Sequence, residues 1–221
     1  MNGFIIYVVD VESTGLDPTL HEIIEISMCR LTPKDDGSYD EEQKSWLLKA
    51  LNPKTIQDEA LRINGHKRED ILWISKFGKE NYRLPNDVVD EIESWMMTDN
   101  VSSIDRIFAG QNPTFDVEHM KTLWKRCGRE NEDDFPFFVR NNNRIIDTKM
   151  IMAFFDICTG RRRKFYNLGG IVKALGVKKG KAHKADEDVR MTKDVLLKLV
   201  TIIQPVVAEQ FKDCYPDDEE M

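Results

Sequence analysis

The chain has 221 residues, 41% of them hydrophobic, with a formal net charge of −7 and four cysteines. That length suits one large domain or two small ones with a sizeable core. No apolar run nears the ~18 residues of a membrane span, no signal peptide opens the chain, and Cys29, Cys127, Cys158 and Cys214 form no CxxC pair, which argues against a zinc or disulfide framework and for reduced thiols in a cytoplasmic protein.

The elements follow in order. Phe4–Val9 reads as a buried strand, and 22–31 alternates apolar and polar residues as a half-buried strand does. A hairpin turn over 33–37 leads to a return strand over 44–51. Residues 56–63 form a short helix ended by Asn64 and Gly65. A helix over 84–97 follows, then a strand over 106–112 that runs into a turn. Residues 114–128 form an amphipathic helix with Thr114 as its N-cap. A strand beginning near Asn143 passes into a helix near Thr148, and 166–177 is helical despite its glycines. The last helix starts near His183 and ends at Pro205. A meander of three strands, then strands alternating with helices, predicts a mixed sheet with helices packed on it. The domain boundary falls at 1–205, with 206–221 as an acidic tail.

Three segments carry chemistry. "DVESTGLDP" ends the first strand. Residues two apart on a strand share a face, so Asp10 and Glu12 converge. Two such carboxylates repel, and one stays protonated unless a cation lets both ionise. The bland alternative is a strand end with two ordinary acids. Thr14, Gly15 and Leu16 follow in a compact turn, with Gly15 where backbone can approach a ligand and Leu16 exposed. The second segment, "GQNPTFD", places Asp116 in a first helical turn, where an acid also suits the helix dipole. Phe115 beside it would ordinarily be core. The third is "HKADED". His183 meets Asp188 only if it lies on the loop before the helix. Asp186 and Glu187 are the near alternatives. Asp188 is preferred because it shares a helical face with Thr192, Val195 and Leu199.

Charge is unevenly spread. From Ile157 to Ala185 there is no acid but there are nine basic residues, namely Arg161, Arg162, Arg163, Lys164, Lys173, Lys178, Lys179, Lys181 and Lys184. A run of this kind is often only a solvated face. Here it is a local field opposite in sign to the whole chain, as a nucleic-acid contact requires.

In order and spacing the three segments resemble the motifs of the DnaQ-like (DEDD-h) 3′→5′ exonuclease family: D-x-E-x-T-G-L, then a motif ending in N-x-x-F-D, then H-x(4)-D. The resemblance spans roughly 4–203, with Gln111 where that family often has histidine. It implies an α/β, ribonuclease-H-like fold: a five-stranded mixed sheet flanked by helices. It implies two divalent cations, Mg²⁺ or Mn²⁺, on Asp10, Glu12, Asp116 and Asp188, with Asp10 bridging them. Hard carboxylate oxygens suit those ions. His183 would be the general base, since an ordinary imidazole is largely neutral at pH 7. The substrate would be a single-stranded DNA or RNA 3′ end. Leu16 and Phe115 would pack on its last bases, Thr14 and Gly15 would offer backbone to the terminal sugar, and Asn112 would orient the strand. The rival reading is a non-catalytic exonuclease-like module that binds nucleic acid or a polymerase or replication partner; a metal-dependent phosphatase is a weaker third.

Overall fold

The computed structural model describes residues 4–72, 81–140 and 143–210. A six-stranded sheet runs in the order β4-β3-β2-β1-β5-β6. Strands β1 (Ile5–Ser13), β2 (Ile23–Pro33) and β3 (Tyr39–Leu48) form the antiparallel meander. Strands β5 (Arg106–Gly110) and β6 (Ile145–Asp147) lie parallel to β1 and to each other. The sixth strand, β4 (Tyr82–Arg83), corrects the expected five. It pairs with β3 over two residues only, too short a run to show any period.

Side-chain alternation along β1 splits the core in two. Ile5, Tyr7, Val9 and Val11 pack under α3 (Pro85–Met97) and α4 (Thr114–Arg126). Ile6 and Val8 pack under α7 (Ala185–Gln210). Asp10 and Glu12 continue that second row. On the same side, α5 (Thr148–Cys158) and α6 (Leu168–Leu175) pack against α7. The short α1 (Asp58–Asn64) and α2 (Arg68–Ile71) cover the β2–β3 end through Leu61 and Ile71.

Two expectations at helix ends are corrected. Thr114 is the first helical residue, and the cap position is Pro113, which has no side-chain cap bond. Helix α7 passes through Pro205 to Gln210. A proline removes the N–H that would bond the carbonyl four residues back; here that residue, Thr201, is exposed, so the loss falls on a solvent-facing carbonyl. Beyond Gln210 the acidic tail, with Cys214, lies outside the described residues. Among the described residues no helix is long and apolar enough to cross a membrane.

Candidate metal and catalytic centre

The parallel pairing of β1 with β5 stops at Val8 and Ala109. Beyond that point the N–H groups of β1 on the β5 side have no strand to meet. The Val11 amide, between the two acids, instead donates to Asp116 Oδ1 at 3.0 Å. A missing ladder bond thus draws the first turn of α4 onto the strand and sets Asp116 beside Asp10 and Glu12. The close approach is helped at Gly110, where a Cβ would meet Pro113 at 2.9 Å.

From the opposite side comes the N-terminus of α7. His183 stands on the loop before it with φ +61°. Its backbone N–H donates to Asp188 Oδ2 at 2.9 Å, folding the loop back over the helix. A ligand atom from each of Glu12, His183 and Asp188 lies within 4.8 Å of the others. Of the three candidate acids on α7, only Asp188 is turned inward. Glu187 pairs with Arg190 at 2.9 Å, and Asp186 is exposed.

The cluster is electrostatically unbalanced. Burial, then the charges of Asp116, Glu12, Asp188 and Glu25, holds the Asp10 carboxyl well above the ordinary carboxylate range. Burial, then Glu25 and Asp188, pushes Glu12 up to about 8, with Lys184 pulling the other way. Burial raises Asp116 to about 7 against the bond from Val11. Asp188 is raised chiefly by burial. Its Oδ1 is buried with no hydrogen-bond partner, and a buried lone pair without a partner is costly. Hard oxygen donors, mutual repulsion and an orphaned carboxyl oxygen together fit a divalent cation.

The remaining expected residues divide. Leu16 is 78% exposed in the turn after β1. Phe115 is half-buried and stacks on His119 with ring centroids 4.1 Å apart. Asn112 is exposed, yet its N–H donates to Asp147 at 2.9 Å and its side-chain oxygen accepts from Lys149 at 3.2 Å. Thr14 is bonded internally. Its N–H donates to the Glu22 carbonyl, its carbonyl accepts from Gln57, and its hydroxyl accepts from the Glu22 N–H, each at 2.9 Å. Its N–H is therefore spent inside the turn, and its carbonyl keeps one further lone pair. Gly15 has a packing reason of its own, because a Cβ there would lie 2.4 Å from the His21 ring. The Gly15 carbonyl accepts from the Ser13 hydroxyl at 2.6 Å and faces His119 Nε2 at 3.3 Å.

Two residues at the cluster escape a reading by motif. Lys184 adds a cation beside Glu12. Glu25 lies directly across from Glu12 in the β1–β2 register. The signal for Glu25 was available: it is the charged residue within the buried run Ile23–Cys29 of β2, one strand away from the acids.

A family model, RNase_T, described as Exonuclease, matches residues 7–196. The chain is 25% identical over 199 residues to the PolC-type DNA polymerase III of Thermotoga maritima, covering 90% of this chain and 12% of that protein. It is 25% identical over 208 residues to the PolC-type polymerase of Staphylococcus haemolyticus, covering 94% and 12%. The chain therefore spans about an eighth of those relatives. Among solved structures it is similar to the zinc-bound E. coli exonuclease I–single-stranded DNA complex, with TM-score 0.71, 18% identity, and coverage of 96% of this chain and 43% of that one. It is also similar to cell-death related nuclease 4, with TM-score 0.70, 12% identity, and coverage of 91% and 65%.

Proposed function

Because this chain belongs to the exonuclease family, we propose that it is a 3′→5′ exonuclease that releases nucleoside 5′-monophosphates from single-stranded 3′ ends. The observation that carries this reading is the convergence of Asp10, Glu12, Asp116 and Asp188, with His183, on one end of the sheet. Mg²⁺ or Mn²⁺ ions held by the four acids would neutralise them and withdraw charge from the scissile phosphate.

The chain's own groups do the rest. His183, exposed on its loop, accepts the proton of the attacking water. The water oxygen bonds to phosphorus, the P–O3′ bond breaks, and the electron pair leaves with the 3′ oxygen of the shortened strand, which takes up a proton. Exposed Leu16 and half-buried Phe115 cover the terminal bases. Close by in sequence, Phe154, Arg161, Arg162, Lys164 and Phe165 are all exposed, with the Lys164 ammonium 5.2 Å from the Phe165 ring centre. Aromatic faces interleaved with cations suit an unpaired strand. The Gln111 side chain donates to the Tyr166 carbonyl at 2.8 Å, which ties this loop to the turn before Asp116. The similarity to PolC-type polymerases favours a replicative setting, with a polymerase as partner.

The deciding assay is digestion of 3′-labelled DNA and RNA single strands with Mg²⁺ and with Mn²⁺. EDTA-sensitive release of mononucleotides is expected. No release with either metal would leave the binding-module reading in its place. In the same assay His183→Ala should slow release by about 10²–10⁴ and flatten the rise of rate with pH. An unchanged pH profile would remove His183 from the base role.

The basic face needs one correction. Arg163 pairs with Asp156, whose side chain is fully buried, so Arg163 anchors the loop and is not free for phosphate. The test falls on Arg161 and Arg162. Replacing both by glutamine should weaken strand binding and reduce the salt slope by about 1.4, at ~0.7 per phosphate contact on a single strand. A slope equal to the parent's in fluorescence anisotropy would rule this face out as the strand path.

A further inference from the structure

Glu25 sits where a carboxylate is least expected. It is buried, faces the same side of the sheet as Glu12, and lies directly opposite it. Like charges directly opposed across two strands are destabilising, and after burial Glu25 is the largest influence on Glu12. Nothing in the four-acid scheme requires a fifth acid there.

The acid is held from behind. His66 Nε2 is 2.8 Å from Glu25 Oε2. His66 Nδ1 is 2.6 Å from the Tyr82 hydroxyl. All three residues are buried. His66 reaches this point because α1 ends at Asn64 and Gly65 adopts φ +75° as its C-cap. The same turn is pinned to β1, since the Asn64 side-chain amide donates to the Ser13 carbonyl at 3.1 Å, and Asn64 Oδ1 accepts from the His66 N–H at 3.2 Å. The short strand β4 delivers Tyr82.

The chain of bonds has a direction. Burial, then the charges of Asp70 and Glu25, pushes the Tyr82 phenol up to about 12, so its proton stays in place. With a neutral imidazole, Tyr82 would donate to Nδ1 and Nε2–H would donate to Glu25. A histidine whose second nitrogen is fixed in this way has one tautomer and one orientation.

We propose that Glu25, oriented by the Tyr82–His66 chain, is a positioning residue that sets the Glu12 carboxylate for the cation at the Glu12–His183–Asp188 end of the site. The inference rests on the metal-dependent reading above, but its test does not need the nuclease reaction. Mn²⁺ binding to the intact protein would be measured by calorimetry at pH 7.5, alongside melting temperature in EDTA. Glu25→Gln keeps an acceptor for His66 and removes the charge. Tyr82→Phe removes only the hydroxyl. Loss of such supporting contacts costs about 10–100-fold in metal affinity. We expect that loss for Glu25→Gln and a smaller loss for Tyr82→Phe, with the metal-free melting temperature of Glu25→Gln equal to or above the parent's. Long-range ¹H–¹⁵N spectra should show His66 as the Nε2–H tautomer, with a changed pattern in Tyr82→Phe. Parental Mn²⁺ affinity in both variants, with a lowered melting temperature, would make the triad purely structural and overturn the proposal while the function reading stands. Failure of the parent itself to bind Mn²⁺ would overturn both.

Discussion

Asp10→Asn should stop mononucleotide release and, in EDTA at pH 8, melt at a higher temperature than the parent. Both effects come from one charge. Asp10 is the acid opposed by the most neighbours, with Asp116, Glu12, Asp188 and Glu25 all raising it after burial. An amide of the same shape carries no charge to repel, so the metal-free fold gains what the ionised acid costs. In a protein of this size each kcal/mol moves the melting temperature by about 2–4 °C. The same substitution removes one of the carboxylates that would hold the cations. Charge stabilisation of several kcal/mol is then lost, and about 4 kcal/mol corresponds to roughly 10³ in rate. The two readouts, differential scanning fluorimetry and 3′-label release, move in opposite directions only if Asp10 is a functional acid set against stability. A variant that loses activity and also melts lower would make Asp10 a structural residue.

Much of this site could be read from sequence because its chemistry is local. Asp10 and Glu12 share a strand face by the two-residue period, and His183 and Asp188 meet through a five-residue step, so motif and geometry coincide. Asp116 needed more. Its place depends on β5 parting from β1 after Val8, which frees the Val11 amide, and no local pattern records where a parallel ladder ends. Thr14 and Gly15 carry a duty their motif does not record: Thr14 locks the turn to Glu22 and Gln57, and Gly15 makes room for His21. The Glu25–His66–Tyr82 chain joins residues 16 and 41 positions apart, through a two-residue strand that has no periodicity to detect. Pro205 misled because proline breaks helices in general, whereas an exposed final turn tolerates the lost bond.

The metal-free protein should lose stability as pH rises from about 4 to 8, and Mn²⁺ should restore most at the upper end. The sign follows from linkage. Glu12 titrates near 8 in the folded chain against an ordinary 4.5, and Asp116 near 7 against 3.8. Between those limits the folded state holds protons that the unfolded chain has already released. Stability then falls with each increment of pH until the folded groups have also ionised. Carboxyls shifted the other way, such as Asp99 beside Arg106, act at the lower edge of this window or below it, and His119, whose imidazole burial holds below its ordinary value of 6.5, opposes the fall up to that value, so the fall is steepest between pH 6.5 and 8. One pKa unit retained after all compensation is about 1.4 kcal/mol, or roughly 3–5 °C at this chain length. A divalent cation replaces the missing protons and binds most tightly where the acids are ionised, so its stabilisation should grow as pH rises. Melting curves at pH 5, 6.5 and 8, in EDTA and in Mn²⁺, measure both trends together. A metal-free melting temperature that is flat or rises across that range, or a Mn²⁺ shift as large at pH 5 as at pH 8, would mean the acids are not held against one another as the geometry requires.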